Sequence, residues 1–175
     1  MSSNIAENSI LGPELAALAE KVIKSNAEAG RTVTVAESCT GGLVAAALTE
    51  VPGSSAVFER GFVTYSNEAK MEMLGVPADI IETFGAVSIA CVWSMAQGAL
   101  INSSADVAVA ISGIAGPDGG SELKPVGTVV FARAMRGDGG APDGEMKLFD
   151  DNGRSAIRRD AAMCALELLM PSQEG

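Results

Sequence analysis

The chain contains no histidine. That absence excludes a Ser-His-Asp triad, a Cys-His pair and any His-ligated zinc. Hydrolytic chemistry, if present, must use another base. Aromatic residues are scarce at 4%, with a single Trp and a single Tyr. Cys39, Cys91 and Cys164 are odd in number and widely spaced. They fit neither a disulfide framework nor a zinc pattern, and they suit a reducing compartment. No apolar run approaches the ~20 residues that span a bilayer. The opening MSSNIAENSI has no basic stretch followed by an apolar one, so no signal peptide is evident. A cytoplasmic protein with no membrane partner is expected. Positive charge is also short: 12 Lys and Arg face 22 Asp and Glu, a net charge of −10. Such a surface repels nucleic acid unless a basic stripe overrides it. No such stripe is visible, and no nucleic-acid partner is expected.

What is present fits one packed domain. The chain has 175 residues, of which 47% are hydrophobic, enough for a single core. We expect a flexible tail over residues 1–12, a domain over 13–170 and a short tail over 171–175. Pro13 opens a helical pattern that closes at Gly30, the positions those residues favour. TVTVA (32–36) predicts a strand and GGLVAAALTEV a helix after a tight turn. A second strand is predicted over 57–65, then a helix capped by Ser66 and ended by Gly75, then a short helix in PADIIETFG. Ser88 begins an apolar helix. ADVAVAIS reads as a strand covered on both faces. A glycine-rich loop leads to the strand VGTVVFARAM, a hairpin partner in EMKLF, and a last helix from Arg154 to Met170. Trp93 and the methionines at 71, 73 and 95 are expected in the core. Early alternation with a late hairpin implies an α/β fold: a three-layer α/β/α sandwich with a mixed, mostly parallel central sheet.

Four stretches could carry chemistry. In AESCTGG (36–42), Ser38 follows a strand and Gly41–Gly42 opens a helix. A strand-turn-helix corner lifts a side chain clear of the sheet, and the helix N-terminus offers free N–H groups to an oxyanion. Ser38 and Thr40 read equally as helix caps, with Cys39 in the core. In TYSNEAK (64–70), Tyr65 ends a strand and Lys70 falls one turn into a helix. Without histidine, a lysine is the natural base for a serine nucleophile, provided that desolvation keeps it neutral. A solvated surface Lys70 is the other reading. SGIAGPDGG (112–120), with Lys124 after it, could wrap a phosphate or be an ordinary surface loop. In GRSAIRR, Arg154 and Arg158 share a helix face at an N-terminus, where the macrodipole disfavours positive charge. An anionic ligand or local ion pairs with Asp150 and Asp151 would offset it. That acidic pair lacks the partners of a metal site, and neither a metal nor another cofactor is expected.

Taken together, AESCTGG, PGSS…F…G…TYSNEAK…LGVP, GAVS, SGIAGP and KPVGTV, in this order, resemble the C-terminal domain of the competence/damage-inducible protein CinA. The resemblance covers roughly residues 13–170. Stand-alone versions of that domain are nicotinamide-nucleotide amidases, the PncC group. They deamidate nicotinamide mononucleotide (NMN) to nicotinate mononucleotide and ammonia, and are described as serine amidases with a lysine and a tyrosine. The resemblance puts the nucleophile on Ser38, the tyrosine on Tyr65 and the lysine on Lys70. It implies a hydrolase of pyridine nucleotide salvage that acts through an acyl-enzyme. Thr40, Gly41 and Gly42 are the expected oxyanion turn; Asn67, Gly113, Gly116, Lys124 and Arg154 complete the expected substrate site. A homo-oligomer is expected. The family usually has Gly-Asp-Arg ahead of the last helix, whereas this chain reads DDNGRSAIRR. Larger CinA proteins also carry an N-terminal molybdopterin-binding-like domain, for which this chain has no room. The alternative to an amidase is a non-catalytic nucleotide-binding module linked to competence or DNA damage; amidase action on another small amide is a third reading.

Overall fold

The computed structural model describes residues 9–172. In order, the elements are α1 (Pro13–Glu28), β1 (Val33–Glu37), α2 (Leu43–Thr49), a 3-10 turn (Ser54–Ala56), β2 (Phe58–Val63), α3 (Asn67–Leu74), α4 (Ala78–Phe84), α5 (Ile89–Ile101), β3 (Val107–Gly113), β4 (Thr128–Met135), β5 (Asp143–Leu148) and α6 (Arg154–Leu168). The five strands form one sheet in the order β2-β1-β3-β4-β5. β2, β1 and β3 pair in parallel, while β4 runs antiparallel to both β3 and β5. This is the mixed α/β sheet that the alternation of elements implied.

Side-chain alternation along the strands builds the layers. On one face, Val33, Val35, Val107, Val109, Ile111, Val129 and Phe131 pack with α1, α2 and α6. On the other, Ala36, Ala108, Ala110, Ala132 and Ala134 meet α3 and α5. That second face is nearly all alanine, so the apolar helix α5 can lie close on the sheet. Gly98 on α5 continues the theme: a Cβ there would collide with the Leu74 carbonyl at the end of α3. The close approach seats α3 against the core.

Two core expectations fail. Trp93 is 37% exposed and lies over Gly144 on the outer strand β5; that strand has no further neighbour to bury the indole. Met73 is 44% exposed and Met95 is fully buried, while Met71 is half-buried. Met73 sits on the solvent side of α3, a helix with little amphipathic pattern. Of the N-terminal tail expected over residues 1–12, the structure describes only 9–12. Residues 1–8 lie outside the described residues, but Ser9 Oγ and the Ile10 N–H both donate to the Glu50 carboxylate, at 2.8 and 3.1 Å. At the other end, α6 stops at Leu168, residues 171 and 172 belong to no element, and 173–175 lie outside the described residues. No described helix is long and apolar enough to cross a membrane.

Gly98→Ala is expected to lower stability by about 1–3 kcal/mol, because the added methyl meets backbone and not a movable side chain. Urea unfolding of the variant against the parent measures this; an unchanged midpoint would show that α3 is free to shift.

Candidate active site

Ser38 follows β1 directly, and its N–H donates to the Ile111 carbonyl on β3 at 2.9 Å. The site therefore lies at the carboxyl ends of the parallel strands, where open α/β sheets place their ligand crevices. After Ser38 the chain turns sharply. Gly41 and Gly42 take φ of +58° and +98°, a left-handed path that β-carbons disfavour. This path lets α2 start at Leu43.

β2 delivers the second half. The chain leaves Val63, and Ser66 caps α3 by accepting the Ala69 N–H at 3.0 Å. Lys70 is the fourth residue of α3. Helical side chains lean toward the N-terminus, so Lys70 reaches back over the turn that began its own helix. It is 1% exposed. Its Nζ lies 2.9 Å from Ser38 Oγ, 2.8 Å from the Thr64 carbonyl, and 3.4 and 3.5 Å from the carbonyls of Tyr65 and Ser66. Among the described residues no carboxylate forms an ion pair with it. Burial pushes its pKa below the ordinary 10.5, against a weaker upward pull from the thiols of Cys91 and Cys39. The amine donates to the Ser38 hydroxyl oxygen and to these carbonyls, and burial favours its uncharged form. The solvated-surface reading of Lys70 is thus corrected by the packing of α3 against α5.

Cys39 is buried beside Ser38, and burial raises its thiol to about 11. It remains protonated near neutral pH, and a buried protonated thiol is unreactive. A cavity of about 290 Å³ opens over the pair. Ser38, Cys39, Tyr65, Asn67, Lys70, Ala86, Val87, Ser112, Gly113, Ala115 and Arg154 line it. A larger cleft of about 430 Å³ lies at the opposite end of the sheet. There Arg133 pairs with Asp143 at 3.1 Å, and Arg136 donates to the carbonyls of Leu100, Ser103 and Ala105. That cleft holds no nucleophile beside a base. Among the described residues, no cluster of three His, Cys, Asp or Glu side chains could hold a metal ion.

Several expected positions behave differently. Tyr65 is 62% exposed, and its hydroxyl accepts from Arg154 Nη2 at 2.9 Å. Among the described residues that hydroxyl makes no hydrogen bond to Ser38 or Lys70, whose own contact is direct. The α2 N-terminus is not free for an oxyanion either. The Glu37 carboxylate, fully buried, accepts the N–H groups of Val44 and Ala45 at 2.9 and 3.1 Å. The Gly41 N–H donates to the Ser38 carbonyl at 3.0 Å. Gly42 caps α2 and Thr40 is buried; neither lines the cavity.

The 113–120 loop does not wrap an open phosphate cradle. Gly113 and Ala115 reach the cavity, but a Cβ at Gly116 or Gly120 would press on Val126, at 2.6 and 2.8 Å. These glycines serve packing against the 125–126 segment. Gly116 instead offers its carbonyl to Arg154 Nη1 at 2.6 Å. Lys124 lies outside the cavity lining. Its amine donates to the Phe84 carbonyl at 3.1 Å, at the C-terminal end of α4 where the helix dipole attracts a cation. Neither Arg154 nor Arg158 pairs with Asp150 or Asp151; both arginines bind backbone carbonyls instead. Arg158 donates from Nε to Cys39 O and from Nη2 to Thr40 O, each at 3.0 Å.

Ser112, which lines the cavity, and Glu37, which binds the start of α2, were not selected by the sequence reading. A lone carboxylate inside VTVAE, just before the serine, was the available signal for Glu37. The four-residue spacing of Arg154 and Arg158 was visible, but not which carbonyls they meet.

The model of the CinA C-terminal domain matches residues 15–172. The chain belongs to the CinA C-terminal domain family. It is 55% identical over 157 residues to the nicotinamide-nucleotide amidohydrolase PncC of Escherichia coli, covering 89% of this chain and 93% of that protein. It is 50% identical over 165 residues to a competence-damage inducible relative from Symbiobacterium thermophilum, covering 91% of this chain but 39% of the relative. The chain thus spans well under half of that longer protein. The crystal structure of the competence/damage inducible protein CihA from Agrobacterium tumefaciens superposes with a TM-score of 0.87 at 48% identity, covering 92% of this chain and 96% of that one.

The lowered pKa of Lys70 has a consequence for this CinA-family domain. The unfolded chain binds a proton at Lys70 below 10.5 that the folded chain releases earlier. Folded stability from this group is therefore full above 10.5 and is lost as pH falls through the folded value. The stability of Lys70→Met minus that of the parent should fall as pH rises toward 10.5. Thermal unfolding over a pH series measures this; a constant difference would mean that the amine titrates ordinarily.

Proposed function

We propose that this protein is an amidase that deamidates nicotinamide mononucleotide through Ser38 and Lys70. The observation that carries the reading is the buried 2.9 Å contact between the Lys70 amine and the Ser38 hydroxyl. The E. coli relative named as a nicotinamide-nucleotide amidohydrolase supplies the substrate class. Neutral Lys70 takes the Ser38 proton while Oγ attacks the carboxamide carbon. The resulting ammonium returns a proton to the leaving nitrogen as the C–N bond breaks, and ammonia departs. Water, deprotonated by the same amine, then hydrolyses the acyl-enzyme to nicotinate mononucleotide. N–H groups of the turn after Ser38 stabilise the oxyanion.

Arg154 is the other basic side chain of the cavity wall, beside Lys70. Two of its N–H groups are held by Gly116 O and Tyr65 Oη, and a guanidinium has five. The remaining donors receive the 5′-phosphate, with Asn67 at the rim. A local cation is needed because the chain carries −10 overall and the substrate is an anion. Tyr65 acts here by fixing Arg154, not by moving a proton. A non-catalytic binding module would gain nothing from burying an amine against a hydroxyl.

Ammonia release from NMN tests the reading. Ser38→Ala and Lys70→Met are each expected to lower kcat by about a thousandfold or more. The parent's kcat/KM should rise with pH along a limb that belongs to Lys70, displaced below 10.5. Parent-like turnover in either variant would overturn the mechanism. Arg154→Ala should raise KM for NMN more than it lowers kcat; equal KM for NMN and its dephosphorylated nucleoside in the parent would remove the phosphate role.

A further inference from the structure

The turn after Ser38 is built so that its amide directions are fixed from outside. In a trans peptide, the carbonyl of one residue and the N–H of the next point in opposite directions. Holding a carbonyl therefore aims the following N–H. Arg158 holds the Cys39 carbonyl through Nε and the Thr40 carbonyl through Nη2. The first contact aims the Thr40 N–H away from the guanidinium. The second turns the Gly41 N–H onto the Ser38 carbonyl at 3.0 Å, and this contact aims the Cys39 N–H the other way. One side chain thus governs three successive peptide planes, two directly and one through Gly41.

The donors left over are informative. The N–H of Ser38 belongs to Ile111 O, that of Gly41 to Ser38 O and that of Leu43 to Thr40 O. Those of Val44 and Ala45 belong to Glu37. Among the described residues, the N–H groups of Cys39, Thr40 and Gly42 donate no hydrogen bond, and of these three residues Cys39 alone lines the same cavity as Ser38. An N–H directly after a nucleophile at a strand-to-helix turn is well placed for the oxyanion. Arg158 meets no carboxylate among the described residues. Its charge is felt at Cys39, where it works against the burial that raises the thiol. A cation hydrogen-bonded to these carbonyls also polarises the peptide units and strengthens the adjoining N–H donors.

We propose that Arg158 is a positioning residue for the acyl-transfer step: it sets the peptide planes after Ser38 so that the Cys39 N–H receives the developing oxyanion. The proposal rests on Ser38 acting as the nucleophile. It replaces Gly41 and Gly42 as donors and gives the last helix a part in the chemistry of the first turn.

The experiment compares the parent with Arg158→Ala and Arg158→Lys by two readouts. One is the kcat and KM of NMN hydrolysis. The other is the rate at which a fluorophosphonate probe labels Ser38, followed by mass spectrometry. We expect both variants to lose roughly ten- to hundredfold in kcat and in labelling rate, with KM within about twofold of the parent. A lysine ammonium cannot span two successive carbonyls in the fork geometry of a guanidinium, so Arg158→Lys should recover little. Millimolar guanidinium should restore part of the rate to Arg158→Ala; added to a merely destabilised protein, it would restore nothing. If Arg158→Ala fails to fold, Arg158→Lys and its kcat-against-KM split decide. Parent-like kcat and labelling in a folded variant overturn the proposal. A loss confined to KM overturns it as well. A parent that leaves NMN intact but labels at Ser38 in an Arg158-dependent way refutes the substrate reading and upholds this one.

Discussion

Lys70 carries its amine into a site where the nearest polar atoms are a serine hydroxyl at 2.9 Å and a carbonyl at 2.8 Å. Taking an ammonium out of water without a carboxylate partner is costly, and the group answers by shedding its proton more readily. Much of the surrounding architecture serves that arrangement. The alanine face of the sheet lets α5 lie close, Gly98 lets α3 lie close on α5, and α3 holds the lysine over its own N-terminal turn. Three carbonyls from residues 64–66 surround the amine, so its hydrogens have partners even when uncharged.

The opposite half of the site is organised by charges that act on backbone. Glu37 is fully buried and binds the first turn of α2, a placement that the helix dipole favours. Arg158 binds the two carbonyls after Ser38, and Arg154 ties the 116 loop to Tyr65. None of these groups is paired with an opposite side-chain charge among the described residues. Each instead fixes peptide orientation, which gives the cavity a rigid wall in a protein that is acidic overall. Preorganised N–H groups and a desolvated base are what acyl transfer needs when no histidine is available.

Relatives of different length share this domain. The chain covers nearly all of the E. coli amidohydrolase but only 39% of the Symbiobacterium protein. Ser38, Lys70 and the residues around them sit within residues 15–172, the segment that the family model matches.

The sequence by itself determined the element order and the mixed sheet, which follow from local periodicity, caps and glycines. The absence of histidine made a lysine the natural base for a serine, but the pairing of Ser38 with Lys70 rested on the resemblance to the CinA domain. The sequence also located the ends of most elements within a few residues, because Pro13, Ser66, Gly75 and Ser88 act through their own backbone. Burial and direction were decided by the tertiary structure alone. Whether Lys70 was a solvated amine or a desolvated one depended on Gly98 of a different helix meeting Leu74. Trp93 looked like core but lies at a sheet edge, since composition does not reveal which strand is outermost. Lys124 and the 113–120 glycines looked like a phosphate cradle, yet they close against α4 and Val126. Arg158 looked like a partner for an anionic ligand or for Asp150 and Asp151, yet it binds carbonyls 118 and 119 residues away in the chain. Long-range contacts of this kind leave no local pattern, because they are set by how the layers stack and not by the residues that flank them.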